Sequence, residues 1–321
     1  MGSEVQPLVV SASRRTDIPN YYAPWFLERL RQGYVLVRNV RDHHKVRKVD
    51  LSVEAVACIV FWTKNPAPLV EYLSHLDSHR YYMHYTITGY GSDIEPRIPP
   101  IGESIDRFRR IAEHIGPQRI IWRYDPIFLN ATYPLEYHLE VFGRMATRLK
   151  GYTNRCVFSF LDRYRHLEAT LDSLGIGPLR ESDLHTLAQH ISQQCKSNGM
   201  EVQSCAEPYD LSSYGITHGA CIDAQLVEKL SGIALPEKRD RNQRPDCRCA
   251  PSIDIGMYHT CLNLCSYCYA NHNTQLVHAN YARARSTSEF IVGARESGDV
   301  IEENAPVATQ VQLSLFGEHD E

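Results

Sequence analysis

Between residues 8 and 207, short apolar runs alternate with stretches whose apolar residues recur at helical spacing. The runs at 8–13, 57–62, 81–88, 119–124, 156–161 and 201–205 predict strands, and the stretches at 24–31, 66–76, 103–115, 134–149 and 181–197 predict helices between them. Pro24, Pro66 and Pro134 stand where three of those helices begin, a position that tolerates the missing N–H. Such regular alternation predicts βαβ units and a parallel sheet. One more strand is predicted at 252–258, after a polar, cysteine-bearing insertion at 205–250. This many βα units favour an α/β fold of the (β/α) barrel or partial TIM-like barrel type over two separate domains. Residues 1–270 then form the barrel and 271–321 a C-terminal extension, in which 293–306 reads as a mobile polar linker.

The predicted strands end in polar residues. The first runs into Arg14, Arg15 and Asp17, the second into Thr63-Lys64-Asn65, and the third into Thr88-Gly-Tyr-Gly91. The fourth carries Arg123 and Asp125, the fifth Asp162 and Arg163, the sixth Glu207 and Asp210. In a (β/α) barrel these positions converge on the mouth where active sites are built. Any one of them could instead cap the next helix, but six strands behaving alike predict a polar site. Its expected catalytic members are Arg14, Arg15, Asp17, Lys64, Arg123, Asp125 and Glu207.

Composition narrows the options. The chain has 321 residues, 43% hydrophobic and 22% charged, and its 34 basic and 38 acidic residues give a net charge of −4. That excludes attachment to nucleic acid or membrane by bulk positive charge. No apolar run approaches the ~18 residues of a membrane span. The N-terminus shows neither a secretory signal nor, with Gln6, a myristoylation pattern, so the chain reads as cytoplasmic. Ten cysteines stand out. Cys58, Cys156 and Cys195 are scattered and read as core, whereas seven fall between Cys205 and Cys268. In a cytoplasmic chain such crowding points to metal rather than disulfides.

The sharpest element is Cys261-Leu-Asn-Leu-Cys265-Ser-Tyr-Cys268, with spacing C-x3-C-x2-C, directly after the last predicted strand. Three thiolates on one tight loop can hold three corners of a [4Fe–4S] cluster and leave one iron open. The alternative is structural zinc, with His259 as a fourth ligand. The remaining four, Cys205, Cys221, Cys247 and Cys249, are the complement for a second iron–sulfur cluster or a zinc site.

This cysteine loop, with Tyr267 just before the last cysteine, resembles the signature of radical S-adenosylmethionine (SAM) enzymes. The phrase Cys265-Ser-Tyr-Cys268-Tyr-Ala-Asn is similar to the branch of spore photoproduct lyase, which repairs a thymine dimer in DNA; Thr63-Lys64-Asn65-Pro66 adds a weaker likeness. The resemblance implies a SAM-binding [4Fe–4S] cluster, a 5′-deoxyadenosyl radical, adenine contact by Tyr267, and an electron donor such as flavodoxin or ferredoxin. In that family the cysteine loop follows the first barrel strand, so the resemblance implies a circular permutation with the 252–258 strand as first and the 8–13 strand as second. The family's Gly-Gly-Glu stretch is absent, and Ser11, Ser13 or Arg14 would contact SAM instead.

Over nearly its whole length the chain also resembles an uncharacterised bacterial family, domain of unknown function 1848. The likeness is carried by Ser11-Ala-Ser-Arg-Arg-Thr-Asp17, Phe61-Trp-Thr-Lys-Asn-Pro66, Trp122-Arg-Tyr-Asp-Pro126 and Asp254-Ile-Gly-Met-Tyr258.

Two features bear on partners. Arg38, Arg41, Lys45, Arg47 and Lys48 form one basic stretch, and Lys238, Arg239, Arg241 and Arg244 another; each could contact phosphates or be a solvated loop. Gln312-Leu313-Ser314-Leu315-Phe316 resembles the consensus by which bacterial repair proteins bind the sliding clamp, against the alternative of a terminal strand. Together these predict a radical SAM enzyme that repairs or modifies a DNA base. The rival readings are radical SAM chemistry on a metabolite, peptide or RNA, and a non-catalytic zinc protein.

Overall fold

The computed structural model describes residues 7–236 and 238–303; the docking sequence at 312–316 lies outside them. The strands are β1 (Leu8–Ala12), β2 (Tyr34–Arg38), β3 (Lys45–Asp50), β4 (Val56–Thr63), β5 (Tyr81–Thr86), β6 (Ile120–Ile127), β7 (Arg155–Phe160), β8 (Glu201–Ser204), β9 (Thr217–His218), β10 (Ile253–Asp254) and β11 (Val300–Glu303). The helices are α1 (Ile18–Tyr21), α2 (Ala23–Gln32), α3 (Ala67–Val70), α4 (Ile101–Ile115), α5 (Leu135–Leu149), α6 (Glu168–Ser173), α7 (Glu181–Ser197), α8 (Ala224–Ser231) and α9 (Thr274–Arg283). A parallel eight-stranded sheet has the order β10-β1-β4-β5-β6-β7-β8-β9, and a three-stranded sheet the order β11-β3-β2, so the fold is mixed α/β as expected. No helix among the described residues is long and apolar enough to cross a membrane.

All seven predicted strands are present, with changes at their ends. The 252–258 strand shortens to β10, because Asp254 turns its carboxylate inward and the Gly256 N–H follows it, 3.0 Å away. The predicted 66–76 helix divides into α3 and a 3-10 turn at Leu73–Leu76; Tyr72 donates back only three residues, to Leu69, which ends the α-helical ladder.

The chain packs as two compact units. The first takes residues up to Tyr82, Ala220–Leu262 and Asn273 onward; the second takes Met83–Gly219 and Asn263–His272. In the first, β1 lies between β10 and β4, with Val10 opposite both Ile253 and Ile59. The almost continuous burial of Val56–Thr63 is that of a parallel strand covered on both faces. On it sits α2, whose Phe26 meets Phe61 edge to face at 5.4 Å; Gly33 closes that helix in the left-handed region, at φ 78°.

The first unit also holds the three-stranded sheet, and here the basic stretch is corrected. Its residues build the β2–β3 hairpin, whose Val35, Leu36, Val37, Val46 and Val49 are buried. The alternation was hidden by the charges between these positions. β11 adds in parallel to β3, so the 293–303 part of the expected linker is ordered sheet edge and turn. It brings carboxylates to the basic residues. Arg38 binds Asp299 at 2.6 and 2.9 Å, His43 meets Glu296 at 3.1 Å, and Lys48 meets Glu303 at 2.9 Å.

In the second unit α4 and α5 each turn an apolar stripe inward, Ile105, Phe108, Ile111 and Ile115 on one and Val141, Phe142, Met145 and Leu149 on the other. Each such side chain contributes about 1.5–3 kcal/mol by burial. Trp122 stacks on Phe142 at 4.7 Å. Within this core His138 is fully buried: its Nε2–H donates to the Phe128 carbonyl at 2.9 Å, leaving Nδ1 to accept from the Tyr124 hydroxyl at 2.7 Å. Burial depresses its pKa to about 4 against the pull of that carbonyl. The unfolded chain therefore binds a proton that the fold refuses as pH falls from about 6.5 to about 4, and unfolding free energy should drop there by up to ~1.4 kcal/mol per pH unit. His138→Gln should flatten that limb of the stability–pH curve measured by urea unfolding; an unchanged slope would exclude His138 as its source.

Candidate functional site

In the first unit the polar residues gather around Asp254, at the carboxyl end of β10. Its Oδ2 accepts from the Ser11 hydroxyl and the Arg14 N–H, both at 2.8 Å. Its Oδ1 accepts from the Ser13 hydroxyl at 2.5 Å, the Gly256 N–H at 3.0 Å and Arg15 Nε at 3.2 Å. Arg15 also donates from Nη2 to the Asp254 carbonyl at 3.0 Å. Burial works to raise the Asp254 pKa, but Arg15, the Ser13 hydroxyl and the Arg14 N–H outweigh it and hold the carboxyl below its usual range. Ser11 and Ser13, expected to contact SAM, thus give their hydroxyls to Asp254. The two arginines are aligned by the same network, Arg14 over the Trp62 ring at 5.1 Å and Arg15 over Tyr258 at 5.3 Å. Arg14 stays charged: burial opposes its charge, while Cys249, Asp254, Cys247 and Cys221 favour it and raise its pKa above the ordinary arginine value.

A part-open pocket lies beside this network, lined by Arg14, Arg15, Arg38, Asp240, Ser252 and Asp254 among others. Asp17 has a structural place. Its Oδ1 caps α1 through the Asn20 N–H at 3.1 Å, and its Oδ2 accepts from the Lys64 N–H at 2.8 Å, tying the end of β4 to the end of β1. Asp17 thus makes the helix-cap contact that the local alternative described.

Cys261 is buried in the first unit, in a turn fastened by the Tyr22 hydroxyl on the Thr260 carbonyl at 2.7 Å and by Asn280 on the His259 carbonyl at 2.9 Å. The rest of the loop belongs to the second unit. Leu264 lies in the left-handed region at φ 54°, and the Cys268 N–H closes a turn on the Cys265 carbonyl at 3.0 Å. Asn271 directs its amide at Cys268 Sγ, 3.5 Å away. The Ser266 N–H fastens the loop to the Ile94 carbonyl at 3.0 Å. Tyr267 is buried near Tyr90 and Phe128, with ring centroids 6.1 and 6.2 Å away, and its hydroxyl donates to Glu95, which also accepts from Thr88 at 2.8 Å. Burial and the Glu95 carboxylate push the Tyr267 pKa well up, so the phenol keeps its proton.

The second unit holds the other expected catalytic residues. Arg123 grips Asp125 with Nε at 3.2 Å and Nη2 at 2.6 Å, and Asp125 also accepts from the Ser159 hydroxyl. Glu207 is buried and accepts from the Phe160 N–H at 2.8 Å. Cys205 is buried at the end of β8 in this unit, while Cys221, Cys247 and Cys249 belong to the first, where Cys249 lies within hydrogen-bonding reach of the other two. Among the described residues no three His, Cys, Asp or Glu side chains form a set already closed around one metal ion. Asp254, Glu95 and Asn271 went unnoticed as site residues. Asp254 had a signal, a lone carboxylate inside an apolar run with glycine two residues on; Glu95 had none.

The family described as Domain of unknown function (DUF1848) matches residues 9–270, and the chain belongs to it. No curated protein matches. Among solved structures, the carboxyl transferase domain of Rhizobium etli pyruvate carboxylase is 13% identical with a TM-score of 0.30, over 72% of this chain and 44% of that one. A second structure of the domain, with pyruvate, is 12% identical with a TM-score of 0.29 over the same shares. The chain thus spans less than half the length of these proteins, and likeness at this level carries no argument.

Two substitutions test the network. Asp254→Ala leaves Arg15 buried without its carboxylate and should cost about 3–5 kcal/mol in urea unfolding. Because the folded carboxyl titrates below its unfolded value, this contribution is present above about pH 4 and fades as pH falls through the folded pKa. Gly256→Ala should also destabilise, since an added Cβ would lie 2.6 Å from Ser13 Cβ. Wild-type stability in both would show that the carboxylate does not organise this end of the sheet.

Proposed function

We propose that the chain is a radical SAM enzyme whose [4Fe–4S] cluster is held by Cys261, Cys265 and Cys268. The observation that carries this reading is the partner of the strand before the cysteine loop: β10 pairs in parallel with β1, Val10 opposite Ile253 and Ser11 opposite Asp254. A circular permutation of the radical SAM order requires that neighbour relation, with β10 as the first strand and β1 as the second. The finer fold reading, a permuted partial barrel of radical SAM type, belongs to the same proposal.

The donors suit the group. Cys261 and Cys265 are buried and Cys268 half-buried, and an amide N–H aimed at a ligand sulfur favours the thiolate a cluster needs. Bound there, the cluster supplies one-electron cleavage of SAM to a 5′-deoxyadenosyl radical. The chain's own residues position and exclude. Glu95 and Thr88 fix the Tyr267 phenol so that its ring presents a set face, the adenine-contacting role the resemblance gives it. Asp254 holds Arg14 and Arg15 at the end of β1, where a guanidinium suits a carboxylate or a phosphate. Arg123 with Asp125, and Glu207, are candidates for holding polar parts of the substrate.

The proposed substrate is a DNA base. Support comes from the likeness of the Cys265–Cys268 phrase to spore photoproduct lyase and from the clamp-like sequence at 312–316. The basic stretch at 38–48 adds little, because carboxylates of 296–303 answer it. An electron donor such as flavodoxin or ferredoxin completes the reading.

Anaerobic reconstitution should give broad absorbance near ~400 nm and, with dithionite and SAM, 5′-deoxyadenosine. Cys261→Ala/Cys265→Ala/Cys268→Ala should abolish the 5′-deoxyadenosine and lower bound iron; iron content unchanged by the triple substitution overturns the assignment. Deleting residues 312–316 should abolish retention on immobilised sliding clamp, and undiminished retention would remove the docking role.

A further inference from the structure

Three further thiols collect where the backbone has no regular structure. The described residues of 233–252 form neither helix nor strand, yet Cys247, Cys249, Ala250 and Ser252 are buried there. A loop this long inside a compact unit needs something to hold it. Its fastening runs to the residues just before α8: Ala250 donates to the Ile222 carbonyl at 2.9 Å, and the Ile222 N–H points back at Cys249 Sγ, 3.4 Å away. Cys221 is thereby set beside Cys249, which lies within hydrogen-bonding reach of both Cys221 and Cys247. Arg14 reaches the same place; its Nη2 is sealed from solvent and all three thiols act on its charge.

We propose that Cys221, Cys247 and Cys249 bind a thiophilic metal centre, a zinc ion or a second iron–sulfur cluster. Buried cysteines are commonly plain core residues, and Cys58, Cys156 and Cys195 answer to that, standing in β4, β7 and α7. The Cys221 group differs on two counts: it lies on irregular backbone, and it carries an N–H···S bond. Cys249 is within hydrogen-bonding reach of Cys221 and Cys247, but the three side chains are not already grouped around one metal position. Rotation of Cys221 and Cys247 about their Cα–Cβ bonds, between staggered rotamers, is the adjustment that binding asks for. Cys205, grouped with these by sequence, belongs to the other unit and is not part of the proposed centre.

The test uses the full chain carrying Cys261→Ala/Cys265→Ala/Cys268→Ala, so that the first loop holds nothing and the two assignments fail separately. After anaerobic purification, zinc, iron and sulfide are measured per chain. Zinc without sulfide identifies an ion, and iron with sulfide a cluster; further Cys221→Ser/Cys247→Ser/Cys249→Ser should remove either. Should the serine variant fail to fold, cobalt(II) added to the loop-substituted chain gives the readout instead: thiolate-to-metal charge-transfer absorbance is expected. A folded loop-substituted chain that holds no zinc or iron and gives no cobalt–thiolate band overturns the proposal, as does metal that survives all six substitutions.

Discussion

A carboxylate as buried as that of Asp254 must be answered by charge and hydrogen bonds, or it would cost several kcal/mol and shed its ionisation. Its partners are Ser11, Ser13, Arg14 and Arg15, about 240 positions away along the chain. One group therefore sets several features together. It fastens the short β10 to β1, it fixes the two arginines at the end of that strand, and it leaves Gly256 so close to Ser13 that no other residue fits without displacement. The cysteine loop begins five residues after Gly256, so the end of the chain that carries the thiols is anchored by the strand at its beginning.

Charge elsewhere in the first unit is likewise answered internally. The hairpin of β2 and β3 has basic side chains between its buried valines, and residues 296–303 supply carboxylates to Arg38, His43 and Lys48. The pairs are partly exposed, so each adds little stability alone. Arg14 is different: its guanidinium lies over the Trp62 ring at 5.1 Å, with Nη2 sealed from solvent.

Much of the sheet was legible because buried parallel strands such as Val56–Thr63 and Ile120–Ile127 are nearly continuous apolar runs bounded by helix starts. Short or interrupted elements were not. β9 is two residues long, β11 is mostly polar, and the hairpin's alternation was masked by Arg38, Lys45, Arg47 and Lys48. At the site, strand-end position picked out Arg15, Asp17, Arg123, Asp125 and Glu207, all of which face polar partners. Position alone does not tell an active-site carboxylate from a cap, and Asp17 caps α1 while accepting from the Lys64 N–H. Nor could it tell which group a serine would serve: Ser11 and Ser13 bind a carboxylate from the far end of the chain, a pairing no local pattern encodes. Glu95 is found only through the fold, because nothing near it in sequence marks a partner for Tyr267.

The centre of the account is that Cys261, Cys265 and Cys268 hold a [4Fe–4S] cluster with one iron open to SAM. Electron paramagnetic resonance of the dithionite-reduced chain carrying Cys221→Ser/Cys247→Ser/Cys249→Ser, recorded with and without SAM, tests this most directly. The account predicts a reduced-cluster signal whose g-values move when SAM is added. A chain that binds iron and sulfide through these cysteines but shows a spectrum indifferent to SAM would contradict it.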